Sequence, residues 1–135
     1  MGPQHLEAEG NTLSEDQALD IALATVRAAD DRKGEQIVVL AVGQLTILAD
    51  YFVLVTGRSR AQVRAIGNAI DERVQSEFNR KPEHVEGLAE GSWVLIDYGE
   101  VIVHILMPQE RDFYQLEAFW GQAPHVDLSG ILTPL

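Results

Sequence analysis

Asp97 and His104 lie on opposite arms of WVLIDYGEVIVHI, residues 93–105, an apolar hairpin broken by an aspartate, a glutamate and a histidine. A carboxylate and an imidazole on neighbouring strands could hold a metal ion or pass a proton. Strand geometry decides whether they meet. Side chains alternate along a strand and cross-strand partners share a face. A two-residue turn at Tyr98-Gly99 or at Gly99-Glu100 therefore gives the same assignment. Val94, Ile96, Val101, Val103 and Ile105 form one aliphatic face; Trp93, Leu95, Asp97, Ile102 and His104 form the other. Zinc would need further ligands, and His125 and Asp127 of the tail motif HVD are the remaining candidates. The simpler use of His104 is a hydrogen bond to Asp97 or to a backbone carbonyl. An indole beside an acid suits a protein interface, where aromatic anchors sit within a polar rim. We expect no catalytic residue, metal or cofactor here.

A second chemical candidate is TGRSRAQVRAIG, where Ser59 opens a helix flanked by Arg58, Arg60 and Arg64. That arrangement could hold an anion at the helix N-terminus, but it lacks the Gly-x4-Gly-Lys-Ser/Thr pattern of a phosphate-cradling loop. A capping serine among solvated arginines is the plainer reading. A Gly-Ser helix start beside a mixed sheet is also similar to the nucleotidyltransferase fold, whose magnesium chemistry uses paired carboxylates. Here the positions two away from Asp97 are Leu95 and Gly99, and Asp50 is a lone acid on the second strand. The catalytic pair is missing. A nucleotide-handling enzyme with magnesium on Asp97 and Asp50 is kept as the alternative. There is no Gly-x-Ser-x-Gly elbow, and the absence of cysteine excludes disulfides, thiolate zinc sites and cysteine nucleophiles.

The elements that would position these residues follow from periodicity. Residues 1–13 are polar and read as a disordered leader, after which Ser14 and Gln17 form a capping box. Leu19, Ala22, Leu23 and Val26 stripe a helix to about Asp30. Gln36 to Val42 and Tyr51 to Gly57 read as strands, and Val63, Ile66, Ile70 and Val74 stripe a helix from Arg60 to about Phe78. A short edge strand at His84 to Glu86 precedes the hairpin. One helix then starts at Pro108 and ends before Gly121, with Phe113, Leu116 and Trp120 along one face and Phe113 and Trp120 read as core, followed by an irregular tail over 122–135. The expected fold is a single α/β domain over 14–121, a mixed sheet with helices mainly on one face. The other face is left open for function.

Composition narrows the partner. With 21 acids against 10 bases the net charge is −11, which suits a basic protein surface and not nucleic acid, whose binding draws on Lys and Arg. No apolar run reaches the length of a membrane helix, and no secretory signal is evident, so a cytoplasmic location is expected.

Taken in order, ADYFVLVTGRSRAQVRAI, VEG followed by WVLIDYGEVIVHI, and QERDFYQLEAFWG resemble the ribosomal silencing factor family, also called Iojap-related, over roughly Leu19 to Trp120. The resemblance implies a non-enzyme with a nucleotidyltransferase-like fold that lacks the catalytic carboxylates. It also implies binding to large-subunit ribosomal protein fourteen, a block on small-subunit joining, and a link to large-subunit maturation. Carried onto this sequence, Trp93, Asp97 and Tyr98 become the contact centre and His104, Asp50 and Tyr51 its neighbours. Glu100 matches the acid that often follows the family's Tyr-Gly pair, and Arg111 and Tyr114 are outlying contacts. A homodimer of the free protein, its open faces meeting, can coexist with this reading.

Overall fold

The computed structural model describes residues 3–134, with side chains from Gln17 onward. Helix α1 is Pro3–Asp31, upstream of the start expected at Ser14. The Ser14 cap and the expected leader lie outside the side chains described. The buried side of α1 is Ala18, Ile21, Ala22, Val26 and Ala29, while Leu19 and Leu23 are half-buried flanks. Small alanines let this helix lie close to the sheet. Helix α2 is Arg60–Phe78 and buries Val63, Ile66, Gly67, Ile70 and Val74, the stripe read from its spacing. Ser59 Oγ accepts from Gln62 N at 3.0 Å, satisfying one of the free amides at the helix start.

Five strands, β1 (Glu35–Ala41), β2 (Tyr51–Thr56), β3 (His84–Glu86), β4 (Trp93–Asp97) and β5 (Val101–Leu106), form one sheet in the order β1-β2-β5-β4-β3. The central β2–β5 pair is parallel and every other pair antiparallel. In the hairpin Asp97 faces Ile102 and Trp93 faces Leu106. Tyr98 N donates to Val101 O at 2.9 Å, which puts the turn at Gly99-Glu100, with Gly99 in the left-handed region at φ 93. That conformation costs glycine little. The aliphatic face, Val94, Ile96, Val101, Val103 and Ile105, is buried with α1 and α2 in the main core.

The same alternation corrects one expectation. Tyr98 shares the face of Val94 and Ile96 and is completely buried in that core, so its side chain cannot be a contact centre. Burial pushes its phenol pKa up. The last helical segment is also not one helix. Helix α3 is Pro108–Tyr114 and α4 is Leu116–Phe119, separated by Gln115 at φ 51. Phe113, expected toward the core, is 76% exposed. The second sheet face is not fully open either. A smaller core of Leu40, Val42, Ala49, Phe52, Leu54 and Ala123 sits on it, with Leu116 and Trp120 packed against it.

The tail is irregular yet docked. Ala41 N donates to Pro124 O at 2.8 Å and Val126 N to Val39 O at 2.9 Å, so the tail pairs with the outer edge of β1. Ala123 belongs to the smaller core and Leu128 to the main one, so the tail wraps around that edge. Thr133 holds the far end, its N and Oγ1 bonding Asp30 Oδ2 at 2.9 and 2.6 Å. Covering an edge strand removes a template for aggregation. Leu128→Ala is expected to cost about 2–3 kcal/mol in urea unfolding. It should also speed amide exchange at Ala41 and Val126 before the sheet centre; a change below about 0.5 kcal/mol would show the tail to be loosely held.

Candidate protein-docking surface

The register of β4 and β5 places Trp93, Leu95, Asp97, Ile102 and His104 on the second face, each half-buried. Trp93 Nε1 donates to His104 Nδ1 at 3.1 Å. A neutral imidazole offers one acceptor and one donor, so this bond makes Nδ1 the acceptor and leaves the proton on Nε2. Burial lowers the His104 pKa from 6.5 to about 4, which keeps the ring neutral. His104 also meets the edge of Phe52 at 5.9 Å between ring centres. The imidazole therefore bonds the neighbouring indole, not Asp97.

These contacts belong to a longer run. Phe113 meets Tyr114 at 5.0 Å, and Tyr114 meets Trp93 at 4.7 Å. Trp93 meets His104 at 5.9 Å; beyond His104, Phe52 meets Trp120 at 5.1 Å and Trp120 meets Phe119 at 5.3 Å. A continuous ribbon of rings thus crosses the sheet face. Its middle is enclosed, with Phe52 only 5% exposed, while Phe113, Tyr114 and Phe119 at its ends are 76%, 50% and 78% exposed. Aromatic pairs at such separations add roughly 0.5–1.5 kcal/mol each beyond their buried area. Exposed aromatics backed by fixed ones are what an anchor for another protein requires.

Other expected contacts fall elsewhere. Arg111 is 7% exposed and works inside the protein. Its Nε donates to Glu117 Oε1 at 2.8 Å, Nη1 to Thr56 Oγ1 at 3.0 Å and Nη2 to Gln36 O at 2.8 Å. Tyr51 faces Val101 and packs against the main core, away from the Trp93 face. Asp50 lies beside the hairpin turn, its N donating to Glu100 O at 2.8 Å. Asp97 Oδ1 accepts from Gly99 N at 2.7 Å and so shapes the turn. Glu100 pairs with Arg80 at 2.8 Å, both partly exposed. Asp50, Asp97 and Glu100 therefore gather at one end of the sheet, about 13 Å along β4 from Trp93.

No three His, Asp or Glu residues converge as metal ligands among the described residues. His125 bridges to Leu40 on the outer edge of β1, two strands beyond the hairpin, so the tail motif does not reach Asp97 and His104. Phe113, expected in the core, and Phe119, for which no role is expected, are both exposed. A signal was present, because Phe113, Tyr114, Phe119 and Trp120 point around most of a helix's circumference and cannot all bury on one side.

A family model described as ribosomal silencing factor during starvation matches residues 15–134. The chain is 38% identical over 121 residues to the ribosomal silencing factor RsfS of Halalkalibacterium halodurans, covering 90% of this chain and 100% of that one. It is 34% identical over 112 residues to the chloroplastic protein Iojap of Zea mays, covering 83% of this chain and 48% of the maize protein. A crystal structure from Chromobacterium violaceum superposes with a TM-score of 0.74 at 35% identity, covering 76% of this chain and 85% of that one.

The buried neutral imidazole has a consequence in acid. Its folded pKa, about 4, lies below the ordinary 6.5. The stability tied to the neutral ring is therefore present above about pH 6.5 and lost as pH falls through about 4, up to about 3 kcal/mol in all. Urea unfolding of the wild type and His104→Gln between pH 7.5 and 4 measures this. The wild type should lose more stability than the variant across that window; parallel curves would show that the ring titrates freely.

Proposed function

The chain belongs to the ribosomal silencing factor family, and from that premise we propose that it represses translation by docking on the large ribosomal subunit. The partner we propose is large-subunit ribosomal protein fourteen, and the effect is to keep the small subunit from joining. The observation that carries this reading is the ribbon of rings, half-exposed on a chain of net charge −11. Trp93, Tyr114, Phe113 and Phe119 are the anchors, and Asp97, Glu100 and Asp50 supply an acidic rim for a cationic protein. His104 supports Trp93 from beneath. Tyr98 and Arg111 make no direct contact in this scheme.

The mechanism is steric. A domain of this length is roughly 30 Å across, large beside a gap between subunits, and it acts by occupying the joining surface. Affinity comes from a few desolvated rings, while rim charges mainly speed encounter. No catalytic step is needed. The magnesium alternative gains no support from the geometry, since Asp97 is committed to its own turn and Asp50 has no paired carboxylate on its strand. We place the activity in the cytoplasm, and no described helix is long and apolar enough to cross a membrane. Participation in subunit maturation and self-pairing of the free protein are compatible with the same surface.

Light scattering of mixed subunits should show joining suppressed by the wild type. Trp93→Ala is expected to weaken binding to the large subunit by about 2 kcal/mol, roughly 30-fold in Kd; unchanged binding would remove Trp93 from the site. Raising salt should slow association far more than it speeds dissociation. The reverse would argue against acidic steering.

A further inference from the structure

Arg111 is the one cation among the described residues buried to less than a tenth exposure, and docking as proposed above gives it no contact to make. Its guanidinium nonetheless joins three separate elements. It bonds Thr56 on β2, the Gln36 carbonyl on β1 and Glu117 on α4. The β1 acceptor is unusual. Gln36 has φ 49, and the β1–β2 register shifts between Glu35 and Val38. A bulge of this kind turns a backbone group out of the ladder, and here the freed carbonyl receives Arg111. Gln36 Oε1 also accepts from Thr56 Oγ1 at 3.3 Å, closing a small network around the arginine.

Burying a guanidinium is costly unless its donors are met, and a planar fork meets several acceptors at once where an ammonium cannot. The elements it joins explain why the cost is borne. Helices α3 and α4 are short, of 7 and 4 residues, too short to hold their shape or direction alone. They nevertheless carry Phe113, Tyr114 and Phe119, with Trp120 capping the end of α4. Gln115, at the joint between them, sits in the left-handed region with no glycine to ease it. Leu116 and Trp120 seat α4 on the smaller core, and Arg111 spans the joint, leaving α3 to reach Glu117 on the far side.

We propose that Arg111 is a positioning residue that sets the α3–α4 joint on the β1 bulge and so holds the exposed rings in register for docking. This rests on the reading of the surface as a docking site. It acts through the rings and does not touch the partner.

The test compares Arg111→Lys with the milder Thr56→Val, which keeps the charge and removes one hydroxyl, an acceptor for Arg111 and a donor to Gln36. Hydrogen exchange is measured on the free protein, and large-subunit binding is measured alone and combined with Phe113→Ala. Exchange should rise at least about tenfold at Gln115, Ala118, Phe119 and Trp120 relative to β2 and β5 amides. Binding by Arg111→Lys should fall about tenfold or more, and its loss should not add to that of Phe113→Ala, because both act through the same rings. Exchange that rises equally across the sheet would make Arg111 a general structural residue and overturn the proposal. So would additive binding losses, or weakened binding with unaltered exchange, either of which would give Arg111 a direct contact. If Phe113→Ala and Trp93→Ala both leave binding intact, the docking surface itself is wrong, while the exchange result still decides whether Arg111 sets the joint.

Discussion

A five-stranded sheet has two faces, and strict alternation along β4 and β5 sends unlike residues to each. That constraint organises the rest. Valine and isoleucine go to the side where α1 and α2 close the main core. Indole, imidazole, aspartate and leucine go to the other, where the short α3 and α4 cover only part of the surface. A one-residue slip in this hairpin would exchange the faces, exposing the aliphatics and burying Asp97. The turn guards against it through Gly99 at φ 93 and the bond from Gly99 N to Asp97 Oδ1.

On the partly covered face, polar atoms and rings support one another. Trp93 would have a half-buried N–H to satisfy, and His104 a lone pair. Each answers the other at 3.1 Å, and the enclosure that lowers the His104 pKa keeps the acceptor free of a proton. The rings at the ends of the ribbon gain no such enclosure. Their exposure leaves apolar area in water, worth roughly 25 cal/mol per Å² once covered, and that stored area is what a partner can recover. Arg111 lies where the lightly held elements meet the firmly held sheet, with a buried charge answered by three acceptors.

Much of this was legible in the sequence, and the exceptions have physical reasons. The α2 stripe and the hairpin faces follow from periods of 3.6 and 2.0, and the Ser59 cap from a short hydroxyl that accepts a free amide at the helix start. Tyr98 enters the contact centre only through the family resemblance, whereas its even position already puts it with Ile96 on the buried face. The break at Gln115 could not be read, since glutamine carries no preference for positive φ and tertiary bonds hold it there. Arg111 is an outlying contact only by the family resemblance; its three acceptors lie on three different elements, which periodicity does not report. The docked tail was missed for the same reason.

The claim that the partly covered face, and not the helical one, meets the ribosome can be read directly by hydroxyl-radical footprinting with mass spectrometry, on the free protein and on its complex with large subunits. Labelling of Phe113, Tyr114, Phe119 and Trp93 should fall severalfold on binding, while residues on the outer sides of α1 and α2 keep their reactivity. Protection of α1 and α2 with those rings still reactive would contradict the account.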